Sequence, residues 1–176
     1  MARLGNHYEA AFRQYLRAGR IPYVAVDERK RGLSAQGSLK NLDFIVTPTA
    51  DRTWLVDVKG RRFPSGRRRQ YWKNWSTEDD LRSLARWEQL FGRGFRGLFV
   101  FAYNICGDRA PLPEERLFVR GQHRYAFVAI RFADYVAHAR TISPRWRTVA
   151  MPTLLFRRLA RPVDDFFTAA CGGTVK

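Results

Sequence analysis

A chain of 176 residues suits one domain with a core of its own and leaves little room for a second. Its 32 Lys and Arg outweigh 16 Asp and Glu, a net charge of +16, and only five of the 32 are Lys, so the surplus is carried by Arg, whose planar fork suits bidentate phosphate contact. The expected partner is a polyanion, and nucleic acid rather than a membrane, because no apolar run is long enough to cross a bilayer and no basic amphipathic helix is present. An Arg-rich proteome would favour Arg over Lys but would not create an excess of base over acid.

The first predicted element is a helix over about 7–18, capped by Asn6, with Tyr8, Phe12, Tyr15 and Leu16 at helical spacing and Gly19 as its stop. "IPYVAVDE" reads as a β segment, and "RKRGLSAQGSLKN" as a polar connection carrying Arg29, Lys30 and Arg31. Two strands over about 42–47 and 54–59, joined by "PTADRT", form an antiparallel hairpin. "RRFPSGRRRQYWKNW" reads as an exposed loop.

"STEDDLRSLARWEQLFG" predicts a second helix, with Ser76 or Thr77 as cap, three acids against the helix dipole, and Leu81, Leu84, Trp87 and Phe91 as the buried stripe. Glu88 borders that stripe and is expected to pair with a buried Arg. "FRGLFVFAY" reads as a buried central strand, "RYAFVAIRF" as another, "ADYVAHAR" as a short helix and "RTVAMP" as a last short strand. The order is α-β-β-β-α-β with a β-rich C-terminal addition. One domain is expected over 1–176, with a core of about 5–103, an extension of about 109–167 and a frayed tail over 168–176.

The N-terminal segment lacks a signal-peptide pattern, and the two cysteines form neither a CxxC pair nor a metal set. A reducing, cytoplasmic setting is expected, with Cys106 buried and Cys171 in the tail.

The hairpin carries the chemistry. Side chains alternate along a strand, so Asp57 and Lys59 share one face while Val56 and Val58 take the other. Asp43, on the neighbouring strand, lies close enough in register to meet Asp57. Two carboxylates in an apolar sheet repel one another unless they share a cation, and oxygen ligands suit Mg²⁺ or Mn²⁺. Such an ion polarises phosphate and acidifies bound water, and an adjacent Lys stabilises charge, which together describe a phosphodiesterase site. A lone D-x-K is more often a solvated pair. The second acid one strand upstream and Glu9 in the preceding helix shift that balance, although Asn6-x-x-Glu9 also has capping-box spacing.

These residues resemble the PD-(D/E)XK nuclease superfamily, with helical Glu9, Asp43 in the first hairpin strand and Asp57-Val58-Lys59 in the second. Within it they are most similar to the Holliday-junction-resolvase-like enzymes and small bacterial restriction-endonuclease-like nucleases. The resemblance spans about residues 5–103. It implies an α/β restriction-endonuclease-like αβββαβ core with a mixed central sheet flanked by helices, and divalent-metal-dependent hydrolysis of DNA phosphodiester bonds. It further implies Asp43, Asp57 and the Val58 carbonyl as metal ligands, Lys59 as the catalytic lysine, Glu9 as a further ligand or water-organising acid, and a homodimer. Leu42 stands where the motif has proline, and Asp57 where many members have Glu.

Beyond Lys59, Arg61, Arg62, Arg67, Arg68 and Arg69 can neutralise phosphates, and Tyr71, Trp72 and Trp75 offer stacking faces beside Lys73. Arg29, Lys30 and Arg31 would extend this surface. Tryptophans that tuck back onto the second helix are the competing expectation for Trp72 and Trp75. The rival functions are a non-catalytic basic nucleic-acid-binding module on the same scaffold, a ribonuclease, and an Arg-rich structural protein indifferent to metal.

Overall fold

The computed structural model describes residues 6–26, 32–34 and 37–168, with 32–34 as backbone only. In chain order the elements are α1 (His7–Ala18), β1 (Tyr23–Ala25), β2 (Gly32–Ser34), β3 (Gly37–Leu39), β4 (Phe44–Thr49), β5 (Arg52–Phe63), β6 (Ser76–Thr77), α2 (Glu78–Phe91) and β7 (Phe95–Ile105). They continue with β8 (Phe118–Arg120), β9 (His123–Arg131), α3 (Phe132–His138), β10 (Arg140–Ser143), β11 (Thr148–Ala150), α4 (Thr153–Leu159), β12 (Arg161–Pro162) and α5 (Asp164–Phe167).

The principal sheet runs β1-β4-β5-β7-β9-β12, with β8 added to β9. All of its pairings are antiparallel except β5 with β7, which run parallel from Thr53↔Phe95 to Phe63↔Ile105. That parallel pair needs a crossover, and α2 supplies it. β10, β11 and β6 form a small second sheet. The expected α-β-β-β-α-β order with a mixed sheet is what the chain adopts. The C-terminal third is less purely β than its sequence suggests, because α4 and α5 flank β12 at the sheet edge.

β5 and β7 are central and covered on both faces, so their continuous apolar runs have somewhere to go. Val56, Val58, Leu98 and Val100 face α1, where Ala11, Phe12 and Leu16 are fully buried. Leu55, Phe99, Phe101 and Tyr103 face the other way, onto Leu84 of α2, Phe132 and Tyr135 of α3 and Phe156 of α4. Two apolar layers therefore sandwich the strand that holds Asp57 and Lys59.

Several local details differ from expectation. The hairpin strands run through most of "PTADRT", leaving a turn at 50–51, and β5 continues past Lys59 to Phe63. Arg61 and Arg62 therefore sit on a strand; the loop begins at Pro64. Gly19 ends α1 in a right-handed conformation, and Arg20 takes the left-handed turn instead (φ 52°). Cys106 is exposed rather than buried, since it lies one residue past the end of β7. Arg29, Lys30 and Arg31, Cys171, and all of the proposed tail except Thr168, fall outside the described residues.

Candidate active site

Asp57 and Lys59 point to the α2 side of the sheet, where each is less than a tenth exposed. The Lys59 ammonium lies 2.9 Å from Asp57 Oδ1 and Oδ2, 2.8 Å from Asp80 Oδ2, and 5.5 Å from the centre of the Phe99 ring. Burial alone would lower the Lys59 pKa, but the flanking carboxylates of Asp57 and Asp80 outweigh it and the value rises. The ammonium is thus held charged. Burial pushes Asp57 up, with Lys59 opposing and Asp80 reinforcing the shift.

Asp43, the residue before β4, joins this strand. The register Phe44↔Val56 brings it alongside 56–58, its amide donates to the Val56 carbonyl (2.9 Å), and its carboxylate accepts the Val58 amide at 2.6 Å. Asp43 therefore has a structural task as well as any chemical one, closing the end of the β4–β5 pair where the regular ladder stops. It is 6% exposed, so Asp43 and Asp57 are both buried carboxylates.

Asp80 was legible only as a helix-dipole acid, yet it is the hub of the site. Its Oδ2 accepts from Ser76 Oγ (3.0 Å) and the Thr77 amide (3.1 Å), its amide donates to Thr77 Oγ1 (3.1 Å), and its Oδ1 accepts from Lys40 Nζ (2.5 Å). Burial would raise its pKa, but Lys59 and Lys40 override burial and hold it well below the ordinary carboxylate range. The missed signal was angular. At about 100° per residue, Asp80 lies in the middle of the Leu84, Trp87, Phe91 stripe, so the helix face that packs on the sheet begins with a carboxylate. Lys40, Asp57, Asp80 and Ser83 also line a cavity of about 10 Å³, close to the smallest space that holds one water.

Glu9 lies elsewhere. Its α1 helix packs on the opposite face of the sheet, where Tyr8 lies over Gly60, and its Oε1 accepts from Asn6 Nδ2 at 2.6 Å. The residues have capping-box spacing, but the donor is the Asn6 side chain rather than its backbone amide, while the Asn6 side chain caps the Tyr8 amide. Glu88 accepts the Gly97 amide at 2.6 Å rather than pairing with a buried Arg, which secures the start of β7.

Past Lys59 the basic segment divides in two. Arg61 is turned inward, stacked on Trp75 (3.8 Å to the ring centre) and donating to the carbonyls of Gly60 and Trp75. Trp72 is half-buried, packed on Phe63, Tyr103 and Phe156 of β5, β7 and α4 rather than on the second helix, and Tyr71 packs on Phe63. Lys73 is half-buried, with its carbonyl accepting the Tyr103 hydroxyl. Arg62 and the turn residues Arg67, Arg68 and Arg69 are exposed. Ser65 and Gln70 bridge the base of that turn, so the three guanidiniums stand at the tip of a small hairpin.

The donor chemistry at Asp43 and Asp57 fits a hard divalent ion: two buried carboxylates, one on β5 and one immediately before β4, with the Val58 carbonyl next to Asp57 in sequence. Mg²⁺ is commonly held by one or two carboxylates with water completing its shell. Among the described residues no three His, Cys, Asp or Glu side chains are grouped to hold a metal ion.

No protein-family model and no curated protein matches the chain. Among solved structures it is similar to Hjc, a Holliday junction resolvase from the archaeal hyperthermophile Archaeoglobus fulgidus, at 12% identity and a TM-score of 0.55, covering 93% of this chain and 100% of that one. At that identity the likeness is one of fold, and the fold is restriction-endonuclease-like.

Proposed function

We propose that this protein is a divalent-metal-dependent nuclease that hydrolyses phosphodiester bonds in DNA. The observation that carries the proposal is the burial of Asp43 together with Asp57 and Lys59, the last two on the strand that leads directly into the arginine hairpin. A module that only bound phosphate would gain nothing from two carboxylates next to it, since they repel the ligand.

Asp43, Asp57 and the Val58 carbonyl would hold Mg²⁺ or Mn²⁺, which supplies Lewis acidity toward the phosphate and toward a bound water. Asp57 and, from α2, Asp80 flank Lys59 and favour its charged form, so it would present a positive charge to the phosphate. Arg67, Arg68 and Arg69 neutralise flanking phosphates. Arg61 and Trp75 brace the base of the hairpin, and Glu9 serves the N-terminus of α1.

The test is cleavage of supercoiled plasmid, linear DNA and a four-way junction with Mg²⁺ or Mn²⁺, the junction being included because Hjc shares the fold. Cutting that is lost with EDTA and in Lys59→Ala supports the nuclease; cutting that survives in Lys59→Ala sinks it. One observation favours a second reading, a binding module without turnover: Lys59 is already satisfied by two carboxylates. Binding of all three DNAs with no cutting under any metal would select that reading.

A further inference from the structure

At the end of the principal sheet remote from the arginine hairpin, the chain forms a cleft of about 630 Å³ between β5, β7, the start of α3 and the α4–β12–α5 segment. Five exposed arginines reach it from five different elements: Arg52, Arg96, Arg131, Arg158 and Arg161. Trp54 and Phe166 form an apolar wall, their rings 5.6 Å apart edge to face.

Each of the three acids that line the cleft has a partner of its own. Asp134 pairs with Arg131 at 2.7 Å, Glu88 accepts the Gly97 amide, and Asp165 faces Arg116 at 3.4 Å. Among the described residues, Arg52, Arg96, Arg158 and Arg161 have no carboxylate partner. The lining carries five arginines against three carboxylates, so the cleft keeps a net positive charge that a polyanion would offset.

We infer that this cleft is a second phosphate-backbone site, one that engages a segment of nucleic acid separate from the segment at Lys59. Guanidinium forks match phosphodiester oxygens, and the cleft has the volume for a backbone turn rather than for one small anion. The seven residues from Arg52 to Lys59 along β5 span about 23 Å at roughly 3.3 Å per residue, so the two sites contact phosphates about a duplex width apart or more. The inference rests on nucleic acid being the partner, but not on turnover.

The test is equilibrium binding of a fluorescent duplex in EDTA, as a function of salt, for wild type, Arg96→Ala/Arg158→Ala/Arg161→Ala and, as a separate control, Arg67→Ala/Arg68→Ala/Arg69→Ala. These side chains are exposed, and thermal melting checks that each variant folds. The cleft variant is expected to bind more weakly, with a plot of log affinity against log salt shallower by about 1 for each phosphate contact removed. An affinity and slope equal to wild type would overturn the inference and leave an acidic protein as the cleft's partner. A cleft-dependent affinity for a free mononucleotide that matches the affinity for the duplex would also overturn it. Wild type that fails to bind DNA or RNA at all would refute the nucleic-acid reading itself, which separates the two failures.

Discussion

Lys59 Nζ lies 2.8 Å from Asp80 Oδ2, joining the central strand β5 to the first turn of α2. Both side chains are at least nine-tenths buried, so the pair is neither screened nor optional. Because the same carboxylate caps α2 and holds Lys40, one residue positions the lysine, closes the helix and anchors the segment before β4.

Asp80→Ala is expected to destabilise the protein by roughly 3–5 kcal/mol, the range for stripping one partner from a buried pair. Urea unfolding measures it. In a Lys59→Met/Asp80→Leu double variant the loss should be smaller than the sum of the two singles, since neither charge is then left alone. Additive losses would show that the two residues act independently.

Asp43→Ala leaves the buried Val58 amide without its acceptor, at a cost of about 1–3 kcal/mol. Asp43→Asn keeps an oxygen for that amide and should recover most of the stability while removing the anionic charge. If the proposed function holds, metal-dependent cleavage stays lost in both variants. Recovery of cutting in the Asn variant would confine Asp43 to its backbone task.

Gly60 follows Lys59 with the Tyr8 ring against it: a Cβ built there would lie 2.1 Å from Tyr8 Cδ2. Gly60→Ala should therefore displace α1 and cost about 1–3 kcal/mol, as overpacking does. Trimming the ring in a Gly60→Ala/Tyr8→Ala variant relieves the clash, so the second substitution should cost less in that background than in wild type. A thermal melt of the four proteins decides it.

His7 Nδ1 lies 2.8 Å from the Tyr125 hydroxyl, and partial burial, then His123 and Arg120, lower its pKa below 6.5. A group depressed on folding contributes stability that is present above its unfolded pKa and is lost as pH falls through the folded one. Stability should therefore decline below about pH 6.5 more steeply in wild type than in His7→Gln. An NMR titration of the ring with a midpoint at or above 6.5 would contradict this.

The sequence by itself determined α1, the hairpin, α2 and β7, along with the side-chain pairings that follow from strand and helix period. Alternation placed Asp57 and Lys59 on one face, and hairpin register brought Asp43 against the backbone of Val56 and Val58, because both depend on a few consecutive residues. Even the Asn6–Glu9 contact was visible as a three-residue spacing.

Only the tertiary structure decided which acid meets Lys59. Asp80 is 21 positions away along the chain, and its reach depends on α2 docking across the Phe99 face while Glu9 is carried to the opposite one. The same holds for the inward turn of Arg61 and Trp72, and for the arginine cleft, whose five side chains come from segments up to 109 positions apart in number, Arg52 to Arg161. Burial and like-charge clustering are properties of the packed surface, and no local pattern of residues encodes them.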